Sequence, residues 1–463
     1  MKKLIIIIIA TLALAGCKKG FLDLNPATDA NAEGFYKTAN DFNVALIGAY
    51  EKFTGYPTAY FELNSYRSDE LRLDAPTAGT QDRYDIDKFQ DNSSNNILLN
   101  SWALYYNGIN RCNEVIARIP EADFDAKLKS QYLAEAKFIR AFHYYNLVKF
   151  WGSVPLILDV ISPADALKAK RISANEVLNI MAEDLKSCVV NLPPSYNTTN
   201  IGRATAGAAS ALLARILLEQ KKYGEVILAL TPVIGKYSLL PKVADVFSVN
   251  NKNNDEIIFS IRFNKDIDGA GHGLWLSTNS STSSLVPPFM LNAYETNDKR
   301  KDLLMYQRSG TSNSYLPKKF YDVISPTTKD AGNDWILIRY AEVLLMYAEA
   351  MNEIKYESDG LAFKYLNEVR QRATQNSTPL FTNANFPDQE SFREAVYNEY
   401  QLELPYEGQR WFTLTRTGKA ASEILQNEGV TVPTFRLIFP VPQSEVEKIG
   451  DPSIFPQNPN YDN

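Results

Sequence analysis

Two stretches of this sequence each predict a pair of helices joined by a short turn, and this pattern constrains the fold more than any other feature. In residues 204–234 the apolar positions with helical spacing are Leu213, Ala214 and Leu217, followed by Val226, Leu230 and Val233. In residues 339–373 they are Tyr347, Ala348 and Met351, followed by Ala362, Leu366 and Val369. The pairs predict helices that bury one face against a neighbour.

The spacing of both pairs resembles that of tetratricopeptide repeats, which stack into a solenoid whose surfaces bind other molecules. A longer helix is predicted in residues 130–156, where Phe138, Ala141, Phe142, Tyr145 and Val148 form one apolar stripe. Gly152 and Pro155 should end it. We therefore predict a mainly α fold built on a tetratricopeptide-like helical scaffold.

Residues 236–335 differ from the helical segments on either side. They contain one short strand-like run, DEIIFSIRF, and then a long stretch rich in Gly, Ser, Thr, Asn, Pro and aromatic residues without a sustained period. Loops of that length inside a domain are usually functional. We predict one globular unit over 35–463, with helical regions at 35–235 and 336–463 flanking an irregular ligand-binding insertion at 236–335 with a few short strands.

The N-terminus carries a membrane-targeting pattern. Lys2 and Lys3 precede an apolar run from residue 4 to residue 14, and Ala15, Gly16 and Cys17 follow. The run is too short to span a bilayer as a permanent helix, and the arrangement resembles the lipobox of bacterial lipoproteins. This predicts a signal peptide at 1–16, acylation of Cys17, and a lipidated tether at 17–34. An ordinary secretory signal with a chance cysteine is the alternative.

Composition excludes several function classes. The net charge is −6, from 54 acidic and 48 basic residues, without a dense Lys/Arg stripe, so nucleic acid is not an expected partner. Aromatic residues make up 12% of the chain against only 2 His, which favours stacking surfaces over proton transfer. Beyond the anchor only Cys112 and Cys188 remain, and two buried thiols are preferred over one disulfide. No cofactor is expected.

Nine blocks along the chain, in this order, resemble the SusD/RagB lipoproteins. They are CKKGFLDLNP (17–26), SWALYYNGINRCNEVI (101–116), EAKFIRAFHYYNLVKFWGSVPL (135–156), GRATAGAASALLARILL (202–218), IRYAEVLLMYAEAMN (338–352), YLNEVRQRA (365–373), ELPYEGQRWFTLTRTG (403–418), FPVPQSEVE (439–447) and QNPNY (457–461). The resemblance implies a surface-exposed, lipid-anchored outer-membrane protein. Such a protein captures oligosaccharides, or peptides in the RagB branch, and passes them to a SusC-like TonB-dependent transporter.

Candidate ligand contacts follow from how sugars are bound, by exposed aromatic rings and by polar side chains that bond hydroxyl groups. We exclude as core the aromatic residues of the helical blocks, which are Trp102, Phe142, Tyr144, Trp151 and Trp411. The remaining loop candidates are Tyr66, Asp69, Arg72, Gln81, Arg83, Tyr84, Phe89, Trp275, Asn279 and Tyr315. Trp275 is the best single candidate because Gly and small polar residues surround it in HGLWLSTNSS, although plain packing explains it equally well.

Calcium binding and glycoside hydrolysis are the two alternatives to non-catalytic sugar binding. Asn264, Asp266 and Asp268 copy the first half of a calcium loop, but Trp275 stands where the bidentate Glu should be, so a plain turn is favoured. A glycosidase would need a carboxylate pair. The prominent carboxylates, Glu135, Glu342, Glu349, Glu403 and Glu407, lie in helical blocks and are predicted to bond helix ends or to pair with Arg140, Arg339, Arg370 and Arg410. We therefore predict a non-catalytic protein.

Overall fold

Helices dominate the part of the chain that the computed structural model describes, which is residues 32–76, 79–273, 285–307, 315–320 and 322–461. The helices are α1 (Ala32–Phe35), α2 (Ala39–Tyr50), α3 (Tyr56–Tyr60), α4 (Gln81–Asp87), α5 (Asn96–Arg118), α6 (Ala126–Trp151), α7 (Pro163–Ala166), α8 (Ala174–Asn191), α9 (Ala206–Glu219), α10 (Tyr223–Leu230), α11 (Val243–Val246), α12 (Pro288–Ala293), α13 (Arg300–Leu304), α14 (Tyr340–Ile354), α15 (Leu361–Thr374), α16 (Gln389–Glu403), α17 (Arg410–Thr417), α18 (Ala420–Glu428) and α19 (Gln443–Ile449). A π-helical turn, Phe61–Ser65, follows α3.

Consecutive helices form one stack along most of the molecule. Helix α5 packs on α6, α6 on α8, α8 on α9, α9 on α10, and α10 on α14, which also contacts α15 and α16. The two predicted helix pairs are thus α9–α10 and α14–α15, and their contact through α10 and α14 joins them into one array. The prediction of a mainly helical scaffold is confirmed.

Helix α6 lies at the centre of this array. Asp125 caps its N-terminus by accepting a hydrogen bond from the Leu128 backbone amide, and Gly152, with a φ of 70°, ends it. Residues 138–151 are all buried, including the polar side chains of His143 and Asn146. The single apolar stripe predicted from the sequence therefore understates the burial, because neighbouring elements cover the C-terminal half of α6 on every side.

Short antiparallel ladders add to the helical scaffold, one within the N-terminal helical region and two in or at the edge of the irregular region. The strands are β1 (Val154–Pro155), β2 (Arg171–Ile172), β3 (Ile257–Ile261), β4 (Met305–Gln307), β5 (Tyr315–Pro317) and β6 (Trp335–Arg339). They pair as β1–β2, β3–β6 and β4–β5. Strands β3 and β6 are buried throughout, and Phe259 of β3 lies 5.0 Å from Phe138 of α6, between ring centroids. The predicted region boundaries at 235 and 335 stay predictions.

Three local predictions can be compared with the described residues. Asn264 Oδ1 accepts from the Asp266 backbone amide at 3.0 Å, so a turn begins at the calcium-like segment, and the preference for a plain turn over a metal site stays a prediction. Cys112 and Cys188 are buried free thiols, as preferred above. No helix in the described ranges is long and apolar enough to cross a bilayer.

Candidate functional site

Several of the predicted loop residues meet where three chain segments come together. The Arg72 amide donates to the Leu285 carbonyl at 3.0 Å, and the Leu285 amide returns a bond to Arg72 at 2.9 Å. The next amide, of Val286, donates to the Tyr315 carbonyl at 2.9 Å. We call residues 66–73, helix α4, residues 285–286 and Tyr315 the loop junction. Backbone pairing across more than 200 positions holds it together.

Helix α4 is fixed to the junction through a buried carboxylate. Asp87 Oδ2 accepts from the Leu73 amide at 3.0 Å and pairs with Lys88 Nζ at 2.8 Å. Burial raises the pKa of Asp87 to about 6, although Lys88 and the Leu73 amide act against it. Because Leu73 directly follows Arg72, the hydrogen bond between Leu73 and Asp87 places α4 beside the backbone pairing of Arg72 with Leu285. Helix α4 carries three of the predicted residues: Gln81, Arg83 and Tyr84.

Four predicted side chains at the junction remain accessible. Arg72 keeps 36% of its side chain exposed, with Asp74 at 3.5 Å, and Gln81 is exposed at the start of α4. Tyr84 and Tyr315 are half-buried. Together these residues offer two aromatic rings, one guanidinium and one amide.

Arg83 and Tyr66 form a more enclosed pair beneath them. Arg83 Nε donates to Glu62 at 2.8 Å, its Nη2 also bonds Glu62, and its guanidinium lies 5.3 Å from the centroid of the Tyr66 ring. Tyr66 is fully buried and meets Phe61 edge to face. We expected Tyr66 to offer an exposed ring for stacking on a sugar, and this expectation is wrong. The ring is buried because Tyr66 directly follows the buried π-helical turn.

Asp69 and Phe89 are also buried, so the expectation of accessible loop side chains is wrong at these two positions. Arg410 clamps Asp69 with two bonds of 2.7 Å, and the Asn427 amide adds a third at 2.7 Å. Burial would raise the pKa of Asp69, but Arg410 outweighs it and lowers the pKa below its usual value. Phe89 lies 4.2 Å from the Arg67 guanidinium. Both residues form the base of the junction.

The other predicted contacts have different outcomes. Trp275 and Asn279 lie outside the described residues, as does Cys17. The aromatic residues assigned to the core are buried, as predicted; they are Trp102, Phe142, Tyr144, Trp151 and Trp411. Among the described residues, no group of three or more His, Cys, Asp or Glu side chains has a metal-binding arrangement.

The prominent carboxylates are engaged in buried ion pairs. Glu403 and Glu407 pair with Arg339 as predicted, and they belong to a larger charged cluster. Its members are Glu256, Asp298, Arg300, Lys319, Arg339, Arg372, Glu399, Glu403 and Glu407. The other predicted arginine partners are wrong, because each of these arginines pairs with a carboxylate outside the predicted set. Arg140 pairs with Asp184, Arg370 with Glu295 and Arg410 with Asp69.

Two of the surface clefts in the described residues were not anticipated from the sequence. One, of about 540 Å³ beside β3, combines polar side chains such as Asn43 and Arg203 with apolar ones such as Phe259. The other, of about 710 Å³, lies between residues 234–241 and α15. Tyr365 and Glu368 of the second cleft lie in a helical block, where apolar periodicity draws attention to the buried face. The outward-facing Tyr365 of α15 was the available signal.

Comparison with known proteins places this architecture in a family. The family model described as the SusD family matches residues 292–461, and a second, described as starch-binding and associating with the outer membrane, matches residues 20–218. SusD-like protein P38 of Formosa agariphila is 27% identical over 490 aligned positions, which cover 94% of each chain.

Solved structures share the fold. Surface glycan-binding protein A from Bacteroides fluxus matches with a TM-score of 0.79 at 24% identity, covering 92% of this chain and 100% of that one. Surface glycan-binding protein A from Bacteroides thetaiotaomicron, in complex with laminarihexaose, matches with a TM-score of 0.76 at 22% identity, covering 90% and 99%. With two matching family models at opposite ends of the chain and SusD-like relatives along its length, this chain belongs to the SusD/RagB family.

Proposed function

We propose that this protein is a non-catalytic outer-membrane lipoprotein that captures oligosaccharides and passes them to a SusC-like TonB-dependent transporter. The observation that carries the proposal is the loop junction, where Arg72, Gln81, Tyr84 and Tyr315 stay accessible above a buried, ion-paired base. Tyrosine rings suit the apolar C–H faces of sugars, and guanidinium and amide groups suit their hydroxyls. Trp275 and Asn279, ten and six positions before Leu285, are proposed further contacts.

The base of the junction supports binding because it is rigid. The bidentate Arg410–Asp69 pair and the Arg83–Glu62 pair hold the loop from below. Sites whose supporting side chains are locked lose less conformational entropy when a ligand binds. The accessible groups can therefore meet a sugar chain without first being ordered.

The engagement of the carboxylates supports binding without hydrolysis. An acid and base pair needs one carboxyl group free to accept or donate a proton beside the scissile bond. Glu342, Glu349, Glu403 and Glu407 are each bonded to arginine in buried surroundings. We propose that these groups stabilise the fold.

Acylation of Cys17 would keep the captured ligand close to its transporter. Tethering makes delivery effectively intramolecular, and its effective concentration reaches the millimolar range for short linkers. We expect Cys17→Ser to move the protein from the outer-membrane fraction to a soluble fraction in the native host. Retention of the Cys17→Ser protein in the membrane would contradict the anchor.

Binding can be tested on an array of neutral oligosaccharides and peptides, with calorimetry on laminarihexaose and maltohexaose. We expect oligosaccharide binding that the double variant Tyr84→Ala, Tyr315→Ala weakens at least about tenfold, equivalent to about 1.4 kcal/mol. Tyr223→Ala, on a half-buried tyrosine outside the junction, is the matched control. Binding of peptides alone would replace the proposal with peptide capture, and hydrolysis of a bound glycan would refute non-catalytic binding.

A further inference from the structure

The cleft beside α15 has walls of two different kinds. Helix α15 contributes one face, with Tyr365, Glu368 and Arg372 pointing to the cleft, while the opposite face of the helix packs in the core. The facing wall is the segment 234–241, which includes Tyr237. A cleft of about 710 Å³ is within the usual range for small-ligand sites, about 300–1,000 Å³.

Hydrogen bonds hold the two walls at a fixed separation. Gln375, at the end of α15, donates through Nε2 to the Pro241 carbonyl at 2.8 Å. The Leu240 amide donates to Glu256 Oε2 at 3.0 Å, and Arg372 Nη1 donates to the same oxygen at 2.9 Å. Since Glu256 is fully buried and belongs to the charged cluster, the cleft is preformed.

Several backbone donors of the 234–241 wall are already used. The Gly235 amide donates to the Tyr340 hydroxyl at 3.0 Å, the Ser238 amide to the Asp255 carbonyl at 3.1 Å, and the Leu240 amide to Glu256. A peptide that binds by adding a strand would need free backbone donors and acceptors. The use of these donors favours a ligand that is held by side chains.

The polar side chains of the lining differ in how fully they are paired. Arg372 is 8% exposed, and its guanidinium is bonded to Glu256 and Glu403 of the charged cluster. Glu368 is half-buried, and the cation paired with it, Lys364 Nζ, lies at 3.7 Å, beyond hydrogen-bond range. Glu368 therefore has room to accept a hydrogen bond from the hydroxyl group of a ligand.

We propose that this cleft is a second oligosaccharide-binding site, separate from the loop junction. Tyr237 and Tyr365 provide ring surfaces for sugar C–H faces, Glu368 accepts from hydroxyls, and Lys364, which also lines the cleft, donates to them. The opposite charges of Lys364 and Glu368 balance, which favours an uncharged sugar chain. This inference rests on the proposed capture of oligosaccharides, but the cleft and the junction share no lining residue.

The two sites can be separated by calorimetric titration of the whole protein with laminarihexaose and maltohexaose. We expect two equivalents of the bound hexaose per wild-type chain. Tyr365→Ala, or the isosteric Glu368→Gln, should weaken one equivalent at least about tenfold. Glu357→Gln makes the same change at an exposed position outside the cleft and should leave both equivalents intact. Thermal unfolding of each variant checks that the fold is kept.

The outcomes distinguish the two proposals. If the junction variant Tyr84→Ala, Tyr315→Ala keeps one equivalent that Glu368→Gln removes, the second site is supported. If wild type binds a single equivalent, lost in the junction variant and unchanged in both cleft variants, oligosaccharide capture stands and the second site is refuted. If neither hexaose binds to wild type, the second site is refuted for these glucans, and the array decides the proposed function independently.

Discussion

The region around α6 and the charged cluster are both fully buried, yet different forces hold them. Around α6, rings pack on rings: Phe142 lies 5.5 Å from Phe53 and 5.7 Å from Tyr56, between centroids. Even His143 stays uncharged there, because burial lowers its pKa to about 3. In the charged cluster, Glu403 accepts from Arg300, Arg339 and Arg372 at once.

Apolar packing and buried charge contribute to the fold in different ways. Apolar packing supplies free energy but tolerates changes of shape. A buried charge is tolerated only when its partners stand at defined positions, so a charged cluster can fix the arrangement of the elements that supply it. Here those elements are α13, β6, α15 and α16, which join the irregular region to the helical scaffold. We infer that the charged cluster fixes the position of the loops relative to the helical scaffold.

The largest effect is expected from removal of the central carboxylate of the cluster. Glu403→Ala leaves three arginines without their shared partner and should lower the free energy of unfolding by about 5 kcal/mol, measured by urea denaturation. Burial alone would raise the pKa of Glu403, but Arg372, Arg339 and Arg300 lower it far below its usual value. The stabilisation by Glu403 is thus present above about pH 4.5 and is lost as the pH falls further. A loss below 1 kcal/mol would contradict the assigned role.

A slightly smaller loss is expected from a cavity beside α6. Phe142→Ala removes a fully buried ring and should cost about 4 kcal/mol in the free energy of unfolding. Since no titrating group is lost, the difference between Phe142→Ala and wild type should be the same at pH 4 and pH 7. A difference that changes strongly with pH would show that the two regions are coupled.

Glu70 should show a pH dependence opposite to that of Glu403. Burial raises its pKa to about 7, while the bond from Ser65 acts against this shift. The neutral form is therefore favoured in the folded state, and its stabilisation is complete below about pH 4.5 and is lost as the pH rises through 7. Glu70→Gln should be more stable than wild type at pH 8 by on the order of 3 kcal/mol, and nearly equal to it at pH 4.

That measurement needs unfolding curves of both proteins across the pH range. Ser65→Ala, which removes the hydroxyl donor to Glu70 at 2.8 Å, is a control that should not abolish the slope. Equal stability of Glu70→Gln and wild type at pH 8 would mean that water reaches the carboxylate.

The same comparison explains what the sequence could and could not predict. Helix pairs such as α9–α10 and the end of α6 at Gly152 follow from periodicity within about twenty residues, so they were predicted. The burial of Asp69 depends on Arg410, which lies 341 positions away, and the burial of Phe89 on Trp411, 5.8 Å from it between centroids. Local composition marks both as loop residues, and only tertiary structure supplies the partners that bury them.

The predicted site shows the same limit. Arg72 and Tyr315 were both chosen for loop composition, but their common place at the junction depends on the bridge through residues 285–286. The cleft beside α15 was missed because Tyr365 lies in a helix whose other face is core. Helical periodicity separates inside from outside, but it does not show which outward faces another segment will enclose.

The smallest effect is expected where charge is present without burial. Lys419 Nζ pairs with Glu394 at 2.7 Å, and their side chains are 27% and 41% exposed. Lys419→Met should therefore change the free energy of unfolding by less than about 1 kcal/mol, and the difference should shrink further in 1 M salt. Measured beside Glu403→Ala under the same conditions, it separates the effect of an ion pair from the effect of its burial. A loss at Lys419 comparable to that at Glu403 would mean that burial is not what makes the charged cluster important.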